Sequence, residues 1–530
     1  MKKQVYFLFF LLALLVFAVN FIYQKNPGYM DADYYFLGGK YLAEKTIKAP
    51  FLWNYLDNPT GLPHPLFTYW KPLASIVTAI PLFMFGSDNF QVGRIIFYLI
   101  ASLIPPLAIY FAYQITKNNF ISYLVGFFVV FSGYYFKFFT IPETIALYVG
   151  LGALYFYTVF SLIKSSESSS RQIGMKTAVI GILSGLMAVT RVDGILYFGF
   201  SLLLVVFLQI KHFRGGKSFF LKILGYGTVC SIGFFLMMIP DCLINYLNFG
   251  SVSSPVGLKA IWINIYDDTF IYPANQLTFT YWLSAGWTEK MQNISNAFLL
   301  NLGTFSAVQL NVFGIPLYFL GVWRYKKEIW MKFFLFVSLS LFLFMTILFP
   351  LAGSRGGYLH AAASLQVVNW ILISVGFYEF LLWGIKKRNW QLLRSKIMFG
   401  SAIILFSLVI TSAIYYQDVI GSETNSFEWN QDYDRYSQIG KIISDQTVEK
   451  TAVVMINNPV GFHYQTGQWA ITLPNSEWDQ FLEALYKFNV HFLVLDENIP
   501  VRMKNYIEEM DKFTEIGYIP TYETTIYEIK

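Results

Sequence analysis

Tyr29-Met30-Asp31-Ala32-Asp33-Tyr34-Tyr35 decides the reading of this chain, because of what stands in front of it. From Tyr6 to Ile22 the sequence is apolar and uncharged. As a helix, such a run approaches the roughly 30 Å of a bilayer's hydrocarbon core. Two carboxylates therefore follow within a few residues of a membrane span. Comparable runs recur further on, as at Phe120 to Val130 and Phe333 to Pro350. Over 530 residues, 55% are hydrophobic and only 13% charged. A soluble domain carries about 25% charged residues, so this chain cannot cover itself with polar surface. It reads as a polytopic membrane protein. The net charge of +6 is not gathered into a basic tail, which argues against nucleic acid as a partner. Cys230 and Cys242, two free thiols partly within one apolar run, exclude a disulfide scaffold.

The apolar runs and their breaks predict about eleven transmembrane helices, near 4–22, 91–115, 120–138, 144–163, 177–190, 194–210, 219–240, 306–323, 333–350, 362–384 and 397–416. The first lacks a small-residue cleavage site and reads as a retained anchor rather than a signal peptide. With the N-terminus inside, the inside loops carry Lys117; Lys164, Arg171 and Lys176; Lys211, Arg214, Lys217 and Lys222; Arg324, Lys326 and Lys327; and Lys386, Lys387, Arg388, Arg394 and Lys396. Every inside loop is basic, and the alternation holds throughout. Ser165–Ser170 reads as a flexible part of one of them. Residues 23–90, 241–305 and 417–530 then lie outside. The last has β-type runs at Ala452–Asn457, His491–Asp496 and Thr524–Ile529, with an amphipathic helix near Trp478–Phe488. The expected organisation is an all-α membrane domain over 1–416 and a small extracytoplasmic α/β domain over 417–530. No internal repeat suggests two transporter halves.

Charges beside lipid are costly, so each needs a reason. Asp31, Asp33, Lys71, Arg94, Lys137, Glu143, Arg191, Asp193, Arg355 and the nearby His360 all fall toward the outer ends of spans. Any one alone could be a snorkelling rim charge. Together they converge on one membrane face, where they suit a polar head group whose lipid tail stays in the bilayer. The first outer loop adds Trp53-Asn54-Tyr55-Leu56, Leu62-Pro63-His64-Pro65 and Tyr69-Trp70-Lys71-Pro72-Leu73. Aromatic rings beside prolines and charges suit an interfacial loop that grips a sugar by stacking and hydrogen bonds. Tyr34, His64 and Tyr69 are its candidate substrate contacts. An aromatic membrane belt would explain the rings but not the paired aspartates, and a carboxylate at a cavity mouth can serve as general base to a hydroxyl.

In these motifs the chain resembles the GT-C superfamily of membrane glycosyltransferases, in the broad group that includes protein O-mannosyltransferases and the lipid A aminoarabinose transferase. The resemblance rests on Asp31 and Asp33, on Lys71-Pro72-Leu73, on Phe85-Gly86 followed by Arg94, and on Ile141-Pro142-Glu143. Thr190-Arg191-Val192-Asp193-Gly194, Asn245-Tyr246-Leu247-Asn248-Phe249-Gly250 and Gly353-Ser354-Arg355-Gly356-Gly357-Tyr358-Leu359-His360 complete it, in matching order and topology. It implies inverting transfer of a sugar from a polyprenyl-phosphate carrier to an unidentified glycan, lipid or protein acceptor, on the outer face of the cytoplasmic membrane. A lipid phosphate is already a fair leaving group, so cationic stabilisation matters more than a proton. Arg355 leads as phosphate ligand, with Lys71 and Arg191 in support. Asp31 matches the first-loop acid, Asp33 is its runner-up, and Glu143 matches the second-loop acid, which would orient the acceptor or a metal.

Two departures leave the metal open. Many relatives have Asp-Glu where this chain has Asp31-Ala32, and some have paired acids where Glu143 stands alone. No histidine–acid spacing of zinc type exists, although a divalent cation is compatible with the acids. Asp267 and Asp268 read as a solvated pair or as acceptor contacts, and His360 as a substrate contact. Asn293-Ile294-Ser295 is a formal glycosylation sequon, meaningful only in a eukaryotic secretory pathway. The rival classes are a transporter or flippase for a lipid-linked or anionic solute, a glycan polymerase or ligase, and a scaffold without activity. A transporter would favour charges at the bilayer midplane, and a scaffold would favour loss of Asp31.

Overall fold

The computed structural model describes residues 1–164, 169–212, 217–256, 259–422, 427–506, 509 and 513–529. Arg214 and residues 165–168 of the inside loops lie outside them. Among the described residues nine helices are long and apolar enough to cross a membrane: Lys3–Tyr23, Phe90–Thr116, Thr144–Lys164, Ser170–Thr190, Val192–Ile210, Phe219–Phe249, Ile329–Leu348, Pro350–Arg388 and Leu392–Ile420. A tenth is a broken pair, Gly286–Gln309 and Gly314–Tyr325, bent by 87°. Its first half starts well before the run expected at 306–323. The span expected at 120–138 is a 12-residue helix, Asn119–Val130, followed by the 3-10 turn Gly133–Phe138. Gly133 makes the break, with φ +64° and Asn311 Oδ1 only 2.3 Å from where a Cβ would stand. All the expected runs thus have helical counterparts, in a protein integral to the membrane.

Without a hydrophobic drive between helices in lipid, close backbone approach has to hold them together. Gly181 and Gly185, one turn apart on Ser170–Thr190, meet the Cys230 and Phe234 carbonyls, which would lie 2.1 and 2.6 Å from an added Cβ. Arg94 ties the span ends on the face that bears the long loops. Its buried guanidinium donates to the Thr140 carbonyl (2.8 Å), the Gln24 carbonyl (2.9 Å) and Gln24 Oε1 (3.0 Å). It thereby fixes the segment that leads into Glu143.

Two helices fill the first long loop. Met30–Ala43 packs on Leu73–Phe85, with Ser75 Oγ donating to the Tyr35 carbonyl at 2.9 Å. Leu73–Phe85 was not expected from the sequence; it is apolar, too short to span, and leaves Phe83, Met84 and Phe85 exposed. The chain's C-terminal part contains a six-stranded sheet in the order Phe51–Leu52, Ala470–Ile471, Val453–Met455, Val490–Leu495, Thr524–Glu528, Thr514–Ile519. The first four strands are parallel, and Thr524–Glu528 runs antiparallel to both of its neighbours, Val490–Leu495 and Thr514–Ile519. The edge strand comes from the first long loop. The Thr472 amide donates to the Leu52 carbonyl (2.8 Å), and the Tyr55 hydroxyl to the Thr472 carbonyl (2.5 Å). Tyr55 and Tyr272, from the two long loops, share a core with Phe481 and Leu485 on one side of the sheet; Tyr436, Ile439 and Phe462 pack on the other.

His463 marks the seam between tail and loop. Its Nδ1 donates to the Gln468 carbonyl (2.6 Å), so Nε2 accepts from the Tyr41 hydroxyl (2.6 Å). Burial pushes this imidazole down to about 4, from an ordinary value of about 6.5. The folded state therefore holds it neutral while the unfolded chain takes up a proton first. Its contribution is fully present above pH 6.5 and lost as pH falls toward 4, about 3 kcal/mol in all. Thermal unfolding of purified protein should show this loss in the wild type relative to His463→Gln across that window. Parallel pH profiles for the two proteins would contradict it.

Candidate functional site

Asp31 and Asp33 lie in the first turn of Met30–Ala43, where the helix dipole favours acids. At about 100° per residue they point roughly 200° apart, so they cannot share one site. Asp33 turns to the tail: its Oδ1 accepts from the Tyr433 hydroxyl at 2.7 Å, and that oxygen in turn accepts from the Gly28 amide at 2.7 Å. Burial pushes the Asp33 carboxyl well up, against the bond from Tyr433. Asp31 turns to the membrane domain, where its carboxylate meets Glu143 and His360. Their ligand atoms all lie within 4.8 Å of one another.

Glu143 sits at the N-terminus of Thr144–Lys164, delivered there by the segment that Arg94 holds. Its Oε2 accepts from the Ile145 amide (2.5 Å), and its Oε1 from Thr144 Oγ1 (2.8 Å) and His360 Nδ1 (3.0 Å). Burial pushes this carboxyl up, but His360 and the two local donors outweigh burial and hold it below the ordinary value. Asp31 differs. Among the described residues it has no hydrogen bond or ion pair; it is half-buried, and burial pushes it up to about 6, with His360 and Arg191 opposing. It is an acid held ready and not consumed by structure.

One cation acts on this acid directly, and a second stands beside Tyr266, which is itself within electrostatic reach of the acid. Arg191, between Ser170–Thr190 and Val192–Ile210, bonds Asp193 Oδ1 (2.9 Å) and the Gly357 carbonyl (3.4 Å), and lies within electrostatic reach of Asp31 and Glu143. Arg355 stands where the helical backbone breaks, with Gly356 at φ +108°. Its guanidinium is exposed, stacks on Tyr266 at 4.1 Å, and forms no ion pair among the described residues. Tyr69 and Tyr266 also come within electrostatic reach of Asp31. Broken helices that line a polar cavity are a recurrent device in membrane proteins.

The other candidates are engaged elsewhere. Lys71 Nζ donates to Asp241 Oδ2 at 2.7 Å. His64 Nε2 lies 2.8 Å from Asp57 Oδ2. The Tyr34 oxygen accepts from the Phe67 amide (2.6 Å), and its ring packs on Trp70. Asp267 accepts from the Val501 amide (2.9 Å). Asp268, fully buried, accepts from the Asn264 (2.8 Å) and Ile265 (3.1 Å) amides and from the Tyr281 hydroxyl. The Asp267 contact joins the second long loop to the tail, and the Lys71 contact joins the first long loop to the helix that leads into the second. Sequence reasoning missed Tyr266 and also Tyr35, whose hydroxyl lies within electrostatic reach of Asp31, Glu143 and Arg191. Tyr35 was findable, because it follows Asp31 by four residues on one helical face.

Asp31, Glu143 and His360 offer two carboxylate oxygens and one imidazole nitrogen, a donor set that fits a divalent cation such as Mn, Fe or Zn. Glu143 and His360 already bond each other, so an ion would share donors that are aligned in advance.

No protein-family model and no curated protein sequence matches the chain. Solved structures do. The archaeal oligosaccharyltransferase AglB from Archaeoglobus fulgidus, in complex with an inhibitory peptide and a dolichol-phosphate, is similar over 100% of this chain and 74% of its own, with TM-score 0.55 and 13% identity. The apo form of the Archaeoglobus enzyme gives 0.54 and 12% over the same shares. ArnT from Cupriavidus metallidurans, bound to undecaprenyl phosphate, is similar over 100% of this chain and 98% of its own, with TM-score 0.52 and 11% identity. The chain has the fold of the GT-C membrane glycosyltransferases.

The contrast between the two aspartates is measurable without any substrate. Tyr433→Phe leaves Asp33 Oδ1 and the Gly28 amide unpaired, at about 1–3 kcal/mol each, and should lower the unfolding midpoint. Asp31→Asn removes an unanswered charge and should leave that midpoint at or above wild type. Equal destabilisation by the two substitutions would mean that Asp31 has a structural partner.

Proposed function

We propose that this chain is an inverting glycosyltransferase that moves a sugar from a polyprenyl-phosphate donor to an acceptor hydroxyl on the extracytoplasmic face of the cytoplasmic membrane. One observation carries the reading: Asp31, an acid with no hydrogen bond or ion pair among the described residues, lies within electrostatic reach of Arg191 and of Tyr266, on which the Arg355 guanidinium stacks, at the loop-bearing end of a GT-C fold. The binding of undecaprenyl phosphate by ArnT and of dolichol-phosphate by AglB supports the choice of donor. The Lys and Arg bias of the short loops supports the orientation.

The chemistry follows from the charges. The acceptor hydroxyl attacks the anomeric carbon as the bond to the phosphate oxygen breaks, in a single displacement that inverts the centre. Asp31 takes the hydroxyl proton, and its raised affinity for protons suits a base working near neutral pH. Arg355 and Arg191 stabilise the charge that develops on the leaving phosphate. The Arg355 fork makes paired bonds that lysine cannot copy. Tyr69 and Tyr266 offer faces for the sugar. Glu143 and His360 could hold with Asp31 a divalent cation, which when bound would add positive charge beside the reacting groups.

Purified protein in lipid nanodiscs, given undecaprenyl-phosphate sugars and membrane glycolipid or peptide acceptors, tests this. Asp31→Asn should slow transfer by roughly 10²–10⁴ while the protein inserts normally. Arg355→Lys should slow it by about 10², the scale of losing one donor to a developing anion, with a smaller loss in binding of undecaprenyl phosphate. Unchanged turnover in either variant removes that residue from its role. For orientation, an enzyme reporter active only outside the cytoplasm and fused after Ile529 should be active; an inactive fusion of normal abundance would reverse the topology.

A further inference from the structure

Asp241, Asn245 and Asn248 recur at i, i+4 and i+7 on the helix Lys217–Phe249, forming one stripe over its last turns beyond Pro240. Asp241 is 3% and Asn245 1% exposed. Even so, Asp241 Oδ1, Asn245 Oδ1 and both Oδ1 and Nδ2 of Asn248 are buried without a hydrogen-bond partner among the described residues. The bonds the stripe does make leave these atoms untouched: Lys71 Nζ to Asp241 Oδ2 (2.7 Å), and Asn245 Nδ2 back to the Asp241 carbonyl (2.9 Å). An orphaned buried polar atom costs roughly 1–3 kcal/mol. Four on one stripe, beside hydrocarbon, call for a ligand that repays them.

The stripe also states what that ligand must be. It presents three oxygen acceptors and one amide donor. A phosphate, having only acceptors, would be repelled by Asp241 Oδ1 and the asparagine oxygens. Hydroxyl groups both donate and accept, and match the set. The stripe is also joined to the candidate site. Lys71 follows Tyr69, which lies within electrostatic reach of Asp31, Arg191 and Tyr266. Ser254, just past the helix, donates to the Thr68 carbonyl and closes the second loop over this segment.

We infer that Asp241, Asn245 and Asn248 form the subsite that reads the hydroxyls of the donor sugar, with Lys71 fixed by Asp241 at its edge. This rests on the glycosyl-transfer reading above and adds to it the residues that recognise the sugar. Apolar replacement should then separate stability from recognition. Asn245→Leu and the milder Asn248→Ala remove orphaned atoms and should unfold at or above the wild-type temperature.

The test compares binding of bare undecaprenyl phosphate with binding of its glucose, mannose and galactose phosphodiesters, for wild type and both variants in nanodiscs. For the sugar that the wild type prefers, each variant should bind the phosphodiester about tenfold more weakly, one hydrogen bond's worth, while bare undecaprenyl phosphate binds unchanged. If both probes weaken together, or if neither changes in a folded variant, the subsite is wrong. Wild-type turnover with a panel donor in that case leaves the transferase reading standing. If the wild type neither binds nor uses any donor of this class, the transferase reading itself fails, and the subsite with it.

Discussion

A charge at the edge of a hydrocarbon layer has to be answered by an opposite charge or a set of dipoles, and the loop-bearing face of this protein is organised by those answers. Arg94 is answered by carbonyls and amide oxygens from two chain segments, with no carboxylate. Lys137 Nζ meets Asp418 Oδ2 at 2.5 Å and joins the turn after Asn119–Val130 to the end of the last span. Asp193 answers Arg191, Asp241 answers Lys71, and Asp33 is answered by a tail tyrosine. Apart from the local Arg191–Asp193 pair, these pairings link segments far apart in sequence, so satisfying the charges also assembles the face. Against that background Asp31, without a bond among the described residues, and Arg355, with only an aromatic face among them, stand out as groups that the described fold does not pair. Their availability is what gives the site its chemical meaning.

The same logic explains what the sequence could and could not reveal. Spans were legible because hydrophobic length is a local property. The tail strands near 452–457, 491–496 and 524–529 were legible for the same reason, as was the helix now seen at Trp478–Lys487. The strands Phe51–Leu52 and Ala470–Ile471 are two residues long, below any pattern, and form only by pairing with distant segments: Phe51–Leu52 with Ala470–Ile471, and Ala470–Ile471 with Val453–Met455 as well. Leu73–Phe85 hid inside a loop because its apolar run is too short to span. That Asp31 rather than Asp33 meets Glu143 depends on the phase of one helix, which Gly28 and Trp429 set by packing: the indole lies 2.0 Å from where a Gly28 Cβ would stand. The cluster of Asp31, Glu143 and His360 draws on three distant segments, so no ligand spacing within the sequence could have signalled it. Lys71 looked available from its motif, and its partner Asp241 stands on another helix entirely.

The distribution of buried charge also bears on what kind of machine this fold supports. Among the described residues the buried charged side chains are Asp33, Arg94, Lys137, Glu143, Asp193, Asp241, Asp268 and Lys290. All lie at span ends or in the long loops and tail. A carrier that alternates access needs polar sites near the bilayer midplane, reachable from both sides in turn. Between the span ends the helices instead pack aromatic rings, Tyr155 against Phe156 and Tyr197, and Phe156 against Phe334. Polar chemistry confined to one face suits a substrate that is itself split, with a head group that reacts in the polar rim and a tail that never leaves the lipid. Under the proposed function such a substrate would reach the site from within the membrane, and no path to the other side would be needed. Helices locked by glycine contacts and a loop face locked by ion pairs are then an advantage, because group transfer rewards fixed geometry where transport requires motion.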